Sequence, residues 1–240
     1  MEHNVAELRE RFLNLLDTLC DEYGLGNYVD GRSPEDIDCE WEGYNDAANH
    51  LGIWTGSGAT KFVIGDENCD YIIKFCPYDD GFDYCAREVE IYKEAVRAGY
   101  ADKFAWCEHL FDYDFNESTT LGVYVMQWCQ CSYDMIDDEM DDWHYTQYCS
   151  SHNLNKDDDA FEKYCSEGRG DKDYQERMME WAFSVWGLDY CGEDYALCNF
   201  MKEMYINDIH AGNWGWCDNK LVLVDYSGYG ECLSCRSIYY

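Results

Sequence analysis

Positive charge is scarce in this chain. Its 240 residues carry 17 Lys and Arg against 50 Asp and Glu, a net charge of −33. A surface this acidic repels phosphate backbones, which excludes direct nucleic-acid binding, and it repels anionic lipid. Proline is nearly missing, at 2 residues, so there is no proline-rich linker or recognition stretch. No apolar run approaches the ~18–20 residues that span a bilayer, so no membrane partner is expected. Nor does a basic and apolar leader precede the first helical pattern, which starts directly after Met1-Glu2-His3.

Apolar side chains, in contrast, are plentiful. Hydrophobic residues make up 47% and aromatics 17%, enough to build a core and more than a disordered acidic chain carries. The length fits one large domain or two small ones. Cysteine is abundant, at 15. Without a leader, these residues read as reduced thiols in a cytoplasmic protein, many of them core fillers. Cys129 with Cys131, and Cys232 with Cys235, could together offer four thiolates to a metal, although the first pair is closer than usual zinc-ligand spacing.

Periodicity supplies the elements. Val5, Leu8, Phe12, Leu15, Leu16 and Leu19 form one helical stripe, begun by Asn4 with Glu7 and stopped by Gly24. Ser33-Pro34-Glu35-Asp36 opens a second helix with Pro34 at its first position, and Ile37, Trp41, Tyr44, Ala48 and Leu51 mark its buried face. From Ile53 to Phe75 the chain reads as strands, with Lys61–Ile64 and Tyr71–Phe75 separated by a turn through Gly65-Asp66-Glu67-Asn68. A helix from about Tyr84 to Ala98 closes at Gly99. Strand-like runs at His109–Tyr113 and Leu121–Trp128 follow, joined through Asn116-Glu117-Ser118. Residues 132–193 are hard to read. Their acidic runs, Asp134 to Asp142 and Asp157-Asp158-Asp159, fit solvated surface or a face for a basic protein partner. Helices are suggested by Met178, Trp181, Ala182 and Val185, and by Leu197, Phe200, Met201 and Met204. A polar loop, Asn207–Trp214, and a strand, Lys220–Val224, complete an α+β arrangement in two lobes.

The chemistry concentrates in that loop. Asp208 and Asn213 lie on it, and Asp225 ends the strand that follows. Two carboxylates and an amide are hard oxygen donors of the kind Mg²⁺ takes alongside substrate phosphates. Asp208-Ile209-His210-Ala211-Gly212-Asn213 resembles the catalytic loop of the protein-kinase-like superfamily, most closely its aminoglycoside-phosphotransferase and small-molecule-kinase branch. Asp225-Tyr226-Ser227-Gly228 resembles the D-F-G motif with its Gly displaced by one. Upstream, Gly56-Ser57-Gly58-Ala59-Thr60-Lys61-Phe62-Val63 resembles the Gly-rich loop, with Lys61 in place of the third Gly. Tyr71-Ile72-Ile73-Lys74 resembles V-A-I-K.

The resemblance, over roughly residues 50–230, implies an α+β protein-kinase-like two-lobe fold. Residues 1–51 would be an N-terminal helical extension. Residues 52–130 would be an N-lobe with a small antiparallel sheet and one helix. Residues 131–240 would be a reduced, mainly helical C-lobe ending just past the D-F-G-like motif, before the usual protein-substrate platform. It implies ATP and Mg²⁺ as cofactors. Lys74 would hold the α/β-phosphates and be oriented by a Glu on the next helix. Glu88 shares an apolar stripe with Tyr84, Ile91 and Ala95, whereas Glu90 shares a charged one with Lys93, Glu94 and Arg97, so Glu88 is the choice. Gly56, Gly58, Lys61 and Val63 would cover the phosphates. Met126 and Trp128 would sit at the hinge that binds adenine through its backbone. Asp208 would accept the proton of the acceptor hydroxyl, Asn213 and Asp225 would hold Mg²⁺, and His210 would brace the loop or take part directly.

Three functions stay open on these residues. The first is a phosphotransferase acting on a small-molecule or protein hydroxyl. The second is a nucleotide-binding, pseudokinase-like protein without turnover. The third is an acidic decoy that occupies a basic partner.

Overall fold

A computed structural model describes residues 4–29, 41–57, 60–66, 70–77, 83–168, 173–190 and 195–228. They fall into two compact units that divide between Trp128 and Cys129. The start of the proposed second helix at Pro34, Gly58 and the Cys232/Cys235 pair lie outside the described residues.

The first unit opens on helix α1 (Val5–Asp21), where the Asn4 side chain caps the Glu7 N–H and reaches the Glu7 carboxylate. Its stripe of Leu8, Phe12, Leu16 and Leu19 is buried. Helix α2 (Tyr44–Leu51) ends at Gly52, and Trp41 ahead of it is buried with its indole N–H on the Tyr23 carbonyl, 2.7 Å away. Strands β1 (Trp54–Ser57), β2 (Phe62–Gly65) and β3 (Tyr71–Phe75) lead to helix α3 (Tyr84–Ala98). Strands β4 (Cys107–Asp114) and β5 (Thr120–Gln127) follow. The sheet is antiparallel throughout, in the order β1-β2-β3-β5-β4. Leu8, Phe12, Leu16 and Leu19 share one core with Phe62, Ile64, Ile73, Phe75, Val123 and Val125. The helices before Gly52 are therefore part of the sheet's own packing, because their apolar stripes would otherwise face water.

The second unit is mainly helical. Helix α4 (Tyr133–His152) runs through the acidic cluster, capped by Ser132. It keeps Ile136, Met140, Tyr145 and Cys149 buried and turns Asp134, Asp138 and Glu139 to solvent. Helices α5 (Asp158–Lys163), α6 (Tyr174–Val185) and α7 (Tyr195–Glu203) follow. Not every acid in the cluster is merely solvated: Asp141 pairs with the buried Arg177 of α6, and Asp137 accepts from the Tyr174 hydroxyl at 2.9 Å. The hairpin of β6 (Trp214–Cys217) and β7 (Lys220–Leu223) closes the unit. Asp218 and Asn219 both take positive φ, the requirement of the tight turn that matches strand twist.

Candidate functional site

In the first unit the sheet and α3 bring three charges together behind the core. Lys74 lies in β3, opposite Val63 of β2 and Tyr124 of β5. Glu88 lies one turn into α3, whose start is fixed by the Asp83 side chain accepting from the N–H groups of Cys85 and Ala86. Lys74 Nζ reaches Glu88 Oε2 at 3.3 Å and Oε1 at 3.4 Å. Lys61 Nζ donates to Oε1 at 2.9 Å. Exposure is 5% for Lys74, 1% for Glu88 and 3% for Lys61, so the trio is shielded from the water that would weaken it. Glu88 turns inward with the apolar stripe of α3, while Glu90 is exposed and pairs with Arg87.

Lys61, expected among the phosphate-covering residues, pairs with Glu88. The strand β2 starts directly after Lys61. Gly56 pairs with Val63 across β1 and β2. Met126 is buried in β5 opposite Ile72. The Gln127 N–H donates to Trp106 O at 2.9 Å and the Trp128 N–H to Asp70 O at 3.0 Å. Two N–H groups of the expected hinge are thus used by the protein itself.

In the second unit the loop after α7 forms the other half of the predicted set. Asn213, buried in a short turn (Ala211–Asn213), donates its amide to Asp208 O at 2.8 Å and to Asp208 Oδ2 at 3.1 Å. Both amide donations go to Asp208, which leaves Asn213 Oδ1 as its donor oxygen. The Asn213 carbonyl accepts from Val224 N at 2.9 Å, tying the loop to the residue before Asp225. His210 Nδ1 accepts from Gly212 N at 3.1 Å, and its Nε2 lies 3.6 Å from Asp208 Oδ2. The Asp208 carboxylate holds His210 above its ordinary value, partial burial opposes this, and the charges of Asp208 and Asp225 add to the rise. Gly228 sits at φ +64°, and a Cβ there would come within 2.4 Å of the Tyr205 carbonyl. Glycine is required at this position of Asp225-Tyr226-Ser227-Gly228 on both counts.

Asn213 Oδ1 and the Asp225 carboxylate, the two residues expected to hold a metal, are hard oxygen donors of the kind Mg²⁺ accepts. No family model, curated protein or solved structure matches the chain.

Two features escaped the sequence reading. One is the Lys61–Glu88 pair. The other is a thiol pair beside it: Cys76 Sγ and Cys85 Sγ lie 3.5 Å apart and both are buried. Burial, and then the Cys76 thiol, hold Cys85 well above the ordinary thiol value. A signal existed for this pair. Cys76 follows Lys74 at the strand period and Cys85 precedes Glu88 by three residues, so each cysteine shares a face with one member of the ion pair. In the second unit, Cys131 Sγ donates to the Cys129 carbonyl at 3.3 Å, and hydrogen bonding with Cys129 lowers Cys217 below the ordinary value.

Proposed function

We propose that the chain is an ATP- and Mg²⁺-dependent phosphotransferase, similar in its reacting groups to the protein-kinase-like superfamily. The observation that carries this reading is the buried ion pair of Lys74 with Glu88, between the third strand of an antiparallel sheet and the helix that follows it. In such enzymes this pair is required to orient the Lys that meets the α/β-phosphates. The loop geometry supports the rest. Asn213 fixes Asp208, and Asn213 Oδ1 and Asp225 would hold the metal.

Mg²⁺ would supply charge neutralisation of the transferring phosphoryl group. The chain's own residues do the positioning. Lys74, held by Glu88, would orient the α/β-phosphates. The Asp208 carboxylate would accept the proton of the acceptor hydroxyl. Asn213 keeps Asp208 from rotating by donating to Oδ2. Such chemistry depends mainly on preorganised charge and position.

The test is ATP turnover with Mg²⁺ in the wild type, Asp208→Ala and Asp225→Ala. Each substitution should lower turnover by about 100-fold or more, the scale of losing one preorganised electrostatic partner. Turnover unaffected by either change would overturn the reading. A second reading, nucleotide binding without transfer, is favoured by the engagement of Lys61 with the same Glu88 carboxylate that orients Lys74. It would appear as a rise in melting temperature with Mg-ATP and no turnover, since a ligand that binds only the native state stabilises it.

A further inference from the structure

The thiol pair has a third donor beside it. Cys76 follows β3, Cys85 lies in the first turn of α3, and Asp83 caps that helix. One ligand atom from each of the three can be chosen so that all lie within 4.8 Å of one another. We propose that Cys76, Asp83 and Cys85 form a binding site for a thiolate-preferring divalent metal of the Zn²⁺ class, which clamps the end of β3 to the start of α3.

The distances suit a metal better than a direct bond between the sulfurs. Two thiolates on one tetrahedral zinc, each about 2.3 Å from it, stand roughly 3.8 Å apart. The observed separation is 3.5 Å, with the Cys76 thiol donating a hydrogen bond to Cys85 Sγ, whereas a disulfide requires about 2.05 Å. Two sulfurs and one carboxylate oxygen are a donor set zinc accepts, and three protein ligands leave one position for water or another ligand.

Asp83 is also held the way a ligand must be. Its Oδ1 accepts from Cys85 N at 3.0 Å and Ala86 N at 2.9 Å, and its Oδ2 accepts from the Tyr124 hydroxyl. An ionised carboxylate has about four acceptor positions, so one remains for a metal after these three bonds. Such outer partners orient metal ligands and tune their affinity. The thiols are buried while Asp83 is exposed, which gives an ion a way in. The site needs nothing from the phosphotransfer reading. It does lie beside Lys74 and Glu88, so an occupied site would hold in register the strand and helix that carry that pair.

The experiment uses the full chain, reduced and freed of metal, titrated with Co²⁺ as an optical stand-in for Zn²⁺. Wild type should develop a thiolate-to-cobalt charge-transfer band that saturates at one equivalent and is bleached by Zn²⁺. Cys76→Ser and Cys85→Ser should abolish it. Asp83→Asn keeps a good helix cap, so it should fold while binding Co²⁺ at least about 10–100-fold more weakly, the loss that removing even an outer partner of a metal ligand causes. Cys129→Ser/Cys217→Ser should leave the band intact. The proposal is overturned if the reduced wild type shows no band, if the band survives Cys85→Ser, or if Cys129→Ser/Cys217→Ser removes it. An Asp83→Asn variant that folds and binds Co²⁺ as tightly as wild type would overturn Asp83 as a ligand.

Discussion

In the first unit the charged groups of the candidate site are buried between a sheet and a helix, whereas in the second they sit on a loop and are held by hydrogen bonds. Lys61, Lys74 and Glu88 are all buried and all come from different elements, the approach to β2, β3 and α3. Asp208, His210 and Asn213 come from one short stretch, and Asp208 and His210 keep part of their surface in water. The two arrangements solve one problem by different physics. Low dielectric strengthens the first set but makes any imbalance costly. The second set is cheaper to disturb and depends on amide geometry.

Removing Glu88 should have the largest effect on stability. Glu88→Ala leaves two ammonium groups with their shared carboxylate gone. Breaking a buried pair in this way costs about 3–5 kcal/mol. Urea denaturation should show a midpoint lowered by that energy divided by the slope, with the slope itself little changed. A loss under ~1 kcal/mol would mean that water reaches the trio, and the contrast between the units would fail.

Asn213→Ala should come next. It removes the donations to Asp208 O and Oδ2, leaving the partly buried carbonyl and carboxylate short of a donor. The expected cost is about 1–3 kcal/mol. Because the bonds are local, amide exchange should rise at Asp208–Val224 and stay unchanged across β2, β3 and α3. Exchange that rises equally in both units would show that the loop is not a separately held element.

The same contrast explains what could be read from the sequence. Helix α3 was legible at both ends because its apolar stripe is continuous and Gly99 terminates it at φ +84°. The inward turn of Glu88 followed from that stripe alone. Asp208 and Asn213 were legible as a motif because both lie on one loop, but the hydrogen bonds between them were not read. Helix α4 was not, since acids fill most of its surface and its buried positions, Ile136, Met140, Tyr145 and Cys149, are spread thinly over five turns of chain. Strand β6 was missed because four residues, Trp-Gly-Trp-Cys, are too few to show a period. Lys61 was assigned to phosphate because it occupies a glycine position of a loop motif. Its contact with Glu88 joins residues far apart in sequence, and no local pattern carries such a pairing.

The smallest effect belongs to His210, where the loop's exposure limits what charge can do. Asp208 raises the imidazole above its ordinary value, and Asp225 adds to this. The ring also faces Tyr133 of α4, with centroids 6.4 Å apart. A histidine raised in the folded state stabilises it fully below about pH 6.5, its value in the unfolded chain. That contribution disappears as pH climbs through the higher folded value. The Gly212 N–H works against it, because Nδ1 accepts that bond only while unprotonated. With the side chain 40% exposed, solvent screening leaves only a fraction of a kcal/mol. Comparing urea midpoints at pH 6 and pH 8 should therefore show a slightly larger fall for wild type than for His210→Gln. An equal fall in both proteins would mean that the Gly212 bond, not Asp208, sets the charge of this ring.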